Sequence, residues 1–134
     1  MAELFSEEWM TRYMDEWNKE PELSDALARI SFNSNIAYGF IEDDKPKGVL
    51  VVENGKVSKG GLYNGEELNW DLRASRENWE KFKKGMGMAG LGMAYMGGKL
   101  KFKIGDYTAM IKDPRMASPF VKSFTVMGRV DEDV

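Results

Sequence analysis

The order of apolar periodicities predicts an α+β fold, a largely antiparallel five-stranded sheet with helices packed on one face. Three observations carry this prediction. Trp9, Tyr13 and Trp17 recur at helical spacing near the start. Two Asn-Gly pairs, at 54–55 and 64–65, punctuate runs of β-branched and alternating residues. A strand with lysine on alternate positions, 99–104, stands between helical segments. At 134 residues the chain is one domain's worth, with its core expected over about 5–127 and a short acidic tail.

The elements follow in order. Ser6 is placed to cap a helix whose first turn carries Glu7 and Glu8, suited to the positive end of the helix dipole. Met10 and Met14 widen its apolar stripe. Pro21 breaks the helix, and Ser24 is expected to cap a short second piece carrying Ala26, Leu27 and Ile30. Phe32–Ile41 and Gly48–Glu53 read as strands joined by the polar turn 42–46. Asn54-Gly55 then predicts a tight hairpin into the strand that begins near Val57. Leu68, Trp70 and Leu72 alternate with Asn69, Asp71 and Arg73, so a four-stranded meander is expected, with Asp71 solvated on its outer side. Ser75 caps a helix bearing Trp79 and Phe82. The segment 85–98 is dominated by methionine and glycine, a composition that predicts a loose wall rather than a firm helix. In the fifth strand Leu100, Phe102 and Ile104 point opposite to Lys99, Lys101 and Lys103. Two helical pieces split near Asp113-Pro114 follow, and the tail 131–134 is expected to fray.

Composition excludes more than it proposes. The chain has no cysteine and no histidine. Disulfides, thiolate metal sites, imidazole bases and Ser-His-Asp triads are therefore absent. A net charge of −3 argues against general nucleic-acid binding. Met1–Arg12 has no continuous apolar core and does not read as a signal peptide. No apolar run is long enough to span a bilayer, so a cytoplasmic location is expected.

Met96-Gly97-Gly98-Lys99-Leu100-Lys101-Phe102-Lys103, followed by Gly105-Asp106, resembles the glycine-lysine-leucine-lysine strand of the sterol carrier protein type 2 family. The order of helix, loop, strand and C-terminal helix around it is also similar. The resemblance implies an apolar tunnel between sheet and helices, holding fatty acids, fatty acyl-CoA or sterols, with no cofactor and no catalytic residue. Two departures stand out: the chain ends Glu132-Asp133-Val134 rather than in a peroxisomal signal, and 86–98 is unusually rich in methionine and glycine. Methionine is unbranched and polarizable, suited to a surface that repacks around variable guests. On this reading Phe82, Met86, Met88, Leu91, Met93, Met96, Leu100, Phe102, Met110, Phe120 and Phe124 line the tunnel.

Other motifs carry less. Gly85-x-Gly87-x-x-Gly90 matches the dinucleotide fingerprint in letters, but a charged, helix-patterned segment precedes it where a buried strand is needed. Acidic clusters at 42–44 and 131–133 read as a turn and a tail. The lysines at 81, 83, 84, 99, 101 and 103 read first as solvated faces, and second as a patch for an anionic membrane surface or a CoA phosphate. An acyl-handling enzyme would need Tyr95, Asp106 or Tyr107 beside the pocket. The main alternative is an accessory interaction module that docks through its Met/Gly-rich segment.

Overall fold

The computed structural model describes residues 3–132. The elements are helices α1 (Glu7–Lys19) and α2 (Ser24–Ala28), strands β1 (Ser34–Phe40), β2 (Gly48–Glu53), β3 (Lys56–Leu62) and β4 (Trp70–Ala74), helices α3 (Arg76–Lys83) and α4 (Gly87–Met96), strand β5 (Lys101–Ile104), and helices α5 (Tyr107–Ile111) and α6 (Pro114–Glu132). The five strands form one sheet in the order β3-β2-β1-β4-β5.

Local chemistry sets most boundaries. The Ser6 hydroxyl accepts from Trp9 N–H at 3.2 Å and starts α1, and the Ser75 hydroxyl accepts from Asn78 N–H at 3.1 Å and starts α3. Asn54 and Gly55 both take positive φ, as the two-residue hairpin requires. Gly55 is needed twice over, because a Cβ there would run into the backbone of α2. Ser24, expected as a cap, lies inside α2 with Leu23 before it. Its hydroxyl instead donates to the Glu20 carbonyl at 2.9 Å, since the chain already turns through 20–24. α6 continues to Glu132, past the start of the expected fraying; Asp133 and Val134 lie outside the described residues.

The expected meander holds for three strands only. β2 pairs antiparallel with both β1 and β3, but β4 crosses back and pairs with β1 in parallel, Ile36 against Trp70 and Phe40 against Ala74. β1 is therefore the central strand, flanked on both sides. Its alternation sends Ile36, Tyr38 and Phe40 toward the helices and Ala37 and Gly39 to the other face, yet all five are buried. The far face is closed by the β1–β2 turn. Arg73, 1% exposed, grips Asp71 with both ends of its guanidinium, at 2.7 and 3.0 Å. It also donates to the carbonyls of Phe40 and Asp43 at 3.2 and 2.8 Å. The expectation of a solvated Asp71 is corrected: the face was read rightly, but Arg73 and the turn shut water out of it.

On the inner face α1 lays Trp9, Met10, Tyr13 and Trp17 against the sheet. Phe5, Trp9, Tyr13, Tyr38, Trp79, Phe82 and Phe124 join into one run of aromatic contacts with ring centroids 5.1–6.2 Å apart. Edge-to-face pairs of this kind add to the hydrophobic gain of burying the rings. The Trp79 indole N–H reaches the Gly39 carbonyl at 2.9 Å, so the largest core side chain leaves no polar atom unpaired.

Candidate ligand cavity

Between the inner face of the sheet and helices α1, α2, α5 and α6 lies a cavity of about 60 Å³, the share of about two liquid waters. Trp17 closes it from α1, Leu23 and Leu27 from the start and end of α2, and Ile36, Tyr38, Trp70 and Leu72 from β1 and β4. Phe32, Phe102, Met110, Met116, Pro119, Phe120 and Ser123 complete the wall. The half-buried members, Phe32, Trp70, Phe102, Met116 and Phe120, mark the side that nears solvent.

The local sequence explains why this half stays hollow. α2 and α5 are each five residues long, too short to lay a continuous apolar stripe across the sheet. Pro119 sits inside α6, where its missing N–H removes one rung of the helix beside the cavity. Phe102 is the hub of the wall, with Trp70, Tyr95, Tyr107 and Phe120 ring centroids all 5.5–6.0 Å away. At the inner end the Tyr38 and Tyr13 hydroxyls lie 3.2 Å apart. Burial raises the pKa of both phenols, so both stay neutral.

The structure brings together three of the side chains expected to line the site, Phe102, Met110 and Phe120. Phe82, Leu91, Leu100 and Phe124 are at most 1% exposed and packed in solid core. The methionines lie outside: Met86, Met88, Met93 and Met96 are 41%, 42%, 75% and 87% exposed. The physical reason is that α4 is apolar all round, so its composition selects no inward side. Only Leu91 and Ala94 anchor it. The segment is also a helix rather than the loose wall expected from its glycines. Of the remaining lining, Trp17, Leu23, Leu27, Phe32, Ile36, Tyr38, Trp70 and Leu72 come from the chain before α3, and Met116, Pro119 and Ser123 from α6. Its apolar patterning was visible, but it reads equally well as ordinary core.

Of the candidate enzyme residues none lines the cavity. Asp106 caps α5 by accepting from Ala109 N–H at 3.0 Å. Tyr95 and Tyr107 stack at 4.0 Å, and burial, then the Tyr95 neighbour, raises the Tyr107 pKa. Among the described residues no group of His, Cys, Asp and Glu is placed to hold a metal ion, and no helix is long and apolar enough to cross a membrane. A second, open depression of about 620 Å³ lies over the far face of the sheet. Its floor is the Asp71–Arg73 pair, already engaged with itself and the β1–β2 turn.

A five-stranded, mostly antiparallel sheet with helices on one face and an apolar cavity between the layers, open to solvent on one side, defines an α+β cavity protein. The fold is that of sterol carrier protein 2. A crystal structure of sterol carrier protein 2 superposes with a TM-score of 0.74 at 22% identity, covering 94% of this chain and 98% of that one. A conserved hypothetical protein from Thermus thermophilus matches at 0.64 and 20% identity, covering 99% and 90%. A structure described as UbiJ-SCP2, a ubiquinone synthesis protein, matches at 0.59 and 13%, covering 92% and 88%. No family model and no curated protein sequence matches the chain.

Proposed function

We propose that this chain is a non-catalytic binder and carrier of an apolar ligand, a lipid held between the sheet and helices α2, α5 and α6. The observation that carries this reading is the cavity itself: an almost wholly apolar space between sheet and helices in a fold shared with sterol carrier protein 2. Burying one methylene contributes about 0.8 kcal/mol. Ten give about 8 kcal/mol before association costs of about half of that or more, enough for useful binding without a polar anchor. At about 60 Å³ the cavity is smaller than such a guest, so binding requires α5 and the start of α6 to move outward, where Pro119 has already removed a rung. Met110 and Met116, long and unbranched, are the wall residues best able to repack.

α4 supports a place for the carrier to meet its source. Its methionines face outward, and every charged residue from Lys81 to Gly105 is a lysine. Lys84, Lys99, Lys101 and Lys103 are exposed. Apolar side chains ringed by cations suit an anionic membrane surface. A second reading, docking of α4 onto a partner protein, is favoured by the same exposed methionines, and one structure of this fold is described as a ubiquinone synthesis protein.

Mass spectrometry of gently purified protein, then solvent extraction, tests the main reading: a lipid is expected at substantial occupancy. A clean unliganded mass together with no uptake of a fluorescent fatty acid overturns it. Flotation with anionic vesicles, set against a partner pull-down, decides between the two roles of α4.

A further inference from the structure

Tyr107 lines no part of the cavity, yet it stands behind two residues that do. Phe102 and Phe120 pack against each other with ring centroids 5.9 Å apart, both half-buried on the side that nears solvent. The Tyr107 ring meets them at 5.5 and 6.2 Å. As the first residue of α5 it shares a five-residue helix with Met110, which does line the cavity.

From the outer side Tyr107 is held by α4. Its ring stacks on Tyr95 at 4.0 Å and 20°, face to face where its contacts with Phe102 and Phe120 are edge-on. Its hydroxyl lies over Gly92, 3.4 Å from where a Cβ would stand. Tyr95 also meets the Phe102 ring at 5.8 Å. One stack thus ties α5 and the hub of the cavity wall to α4.

A guest larger than the cavity needs α5 to move outward, and α5 carries Tyr107 with it. The stack then either breaks or drags α4 along. Backbone bonds decide between these: Lys99 and Leu100 N–H, entering β5, hold the Ala94 carbonyl at 2.8 and 3.1 Å. The turn that bears Tyr95 is therefore tied to the sheet, and the stack is what gives way.

From this we infer that the Tyr95–Tyr107 stack is a latch on the cavity, made in the structure and opened by an entering guest. Tyr95 is a positioning residue on this view: it touches no guest, and it sets how readily the wall opens. The inference deepens the carrier reading and rests on the cavity being the ligand site.

The test is stopped-flow binding of cis-parinarate, a fluorescent fatty acid, to the native chain and its variants. Tyr95→Leu keeps an apolar side chain but loses the stack. It is expected to bind about two- to tenfold more tightly, the worth of one aromatic pair. The gain should fall in the association rate, with the dissociation rate unchanged, because the stack is already broken in the loaded form. Tyr95→Phe restores the ring and should return both rates to native values. Tyr107→Leu cuts the same stack from α5, so the double variant should gain little beyond Tyr95→Leu alone. Should Tyr107→Leu not fold, the two Tyr95 variants decide. Unchanged or weaker binding by folded Tyr95→Leu, a Tyr95→Phe that behaves like it, or full additivity in the double variant overturns the inference and leaves the carrier reading intact. No binding of cis-parinarate by the native chain overturns both.

Discussion

Phe120 and Phe124 stand one turn apart on α6 with ring centroids 5.1 Å apart, yet they belong to two different interiors. Phe124 is 1% exposed and meets Trp79 and Phe82. There α1, α3 and the second half of α6 meet the sheet with their aromatic rings interlocked. Phe120 is half-buried, meets Phe102 and Tyr107, and lines the cavity. The filled half is built from a long capped helix and a tryptophan whose polar atom is matched. The hollow half is built from two five-residue helices and a helix weakened by proline. The contrast teaches that one sheet supports both a filled interior and a hollow one, and that helix length and continuity decide which forms where.

If the halves differ in this way, truncations must separate them. The largest effect is expected at Trp79→Ala, which should destabilise by about 3–5 kcal/mol, read as a fall in the urea midpoint. Phe124→Ala should cost nearly as much. A loss below about 1 kcal/mol at Trp79 would mean that the filled half is not close-packed. Phe120→Ala should cost clearly less than Phe124→Ala, because it extends an existing cavity, and it should speed uptake of a fluorescent fatty acyl probe. Equal costs at the two positions would erase the distinction.

Phe102→Asp comes next and works on function rather than stability. The side chain is half-buried, so the protein should fold, but a carboxylate at the hub of the wall should abolish uptake. Undiminished uptake by the folded variant would move the site elsewhere.

A smaller effect is expected from acid. Glu20 accepts from the backbone N–H of Glu22 at 3.0 Å and from Arg129 at 2.8 Å, linking the end of α1 to α6. Those bonds, with Lys122 at 3.9 Å, hold its pKa below the ordinary 4.5. The unfolded chain therefore takes up this proton first as pH falls. The stabilisation is fully present above pH 4.5 and lost as pH falls through the lower folded value. Denaturant titrations from pH 6 downward should show a steeper loss in the native protein than in Glu20→Gln. Parallel curves would remove Glu20 from the account. Met93→Ala and Met96→Ala should fall within about 0.5 kcal/mol of the native stability, since neither side chain is packed.

What was legible in the sequence was what neighbours in the chain decide. Ser6, Ser75 and Asn54-Gly55 act within a few residues of themselves, and each does what its local chemistry predicts. The parallel return of β4 to β1 was not legible, because it is chosen by partners more than thirty positions away. Asp71 shows the same limit: alternation assigned its face, but the turn that dries that face comes from 43–46. At the site, Phe102 and Phe120 could be found from the alternation of a strand and the period of a helix. Ile104, expected on the same side as Phe102, falls beyond a register shift opposite Asp71 and is exposed. α4 has apolar residues on every side, so no period in it separates wall from surface.

The lysines of the outer strands have a consequence for assembly. β3 and β5 are the two edges of the sheet, and each exposes cations along its length, Lys56 and Lys59 on one and Lys101 and Lys103 on the other. β5 is only four residues long. Adding a strand from a second molecule would bring it against exposed lysines at either edge, and at β5 onto a ladder of only four residues. Both edges of the sheet thus carry the charges that disfavour edge-to-edge growth, so on the carrier proposal admitting a guest need not expose strands to a neighbour.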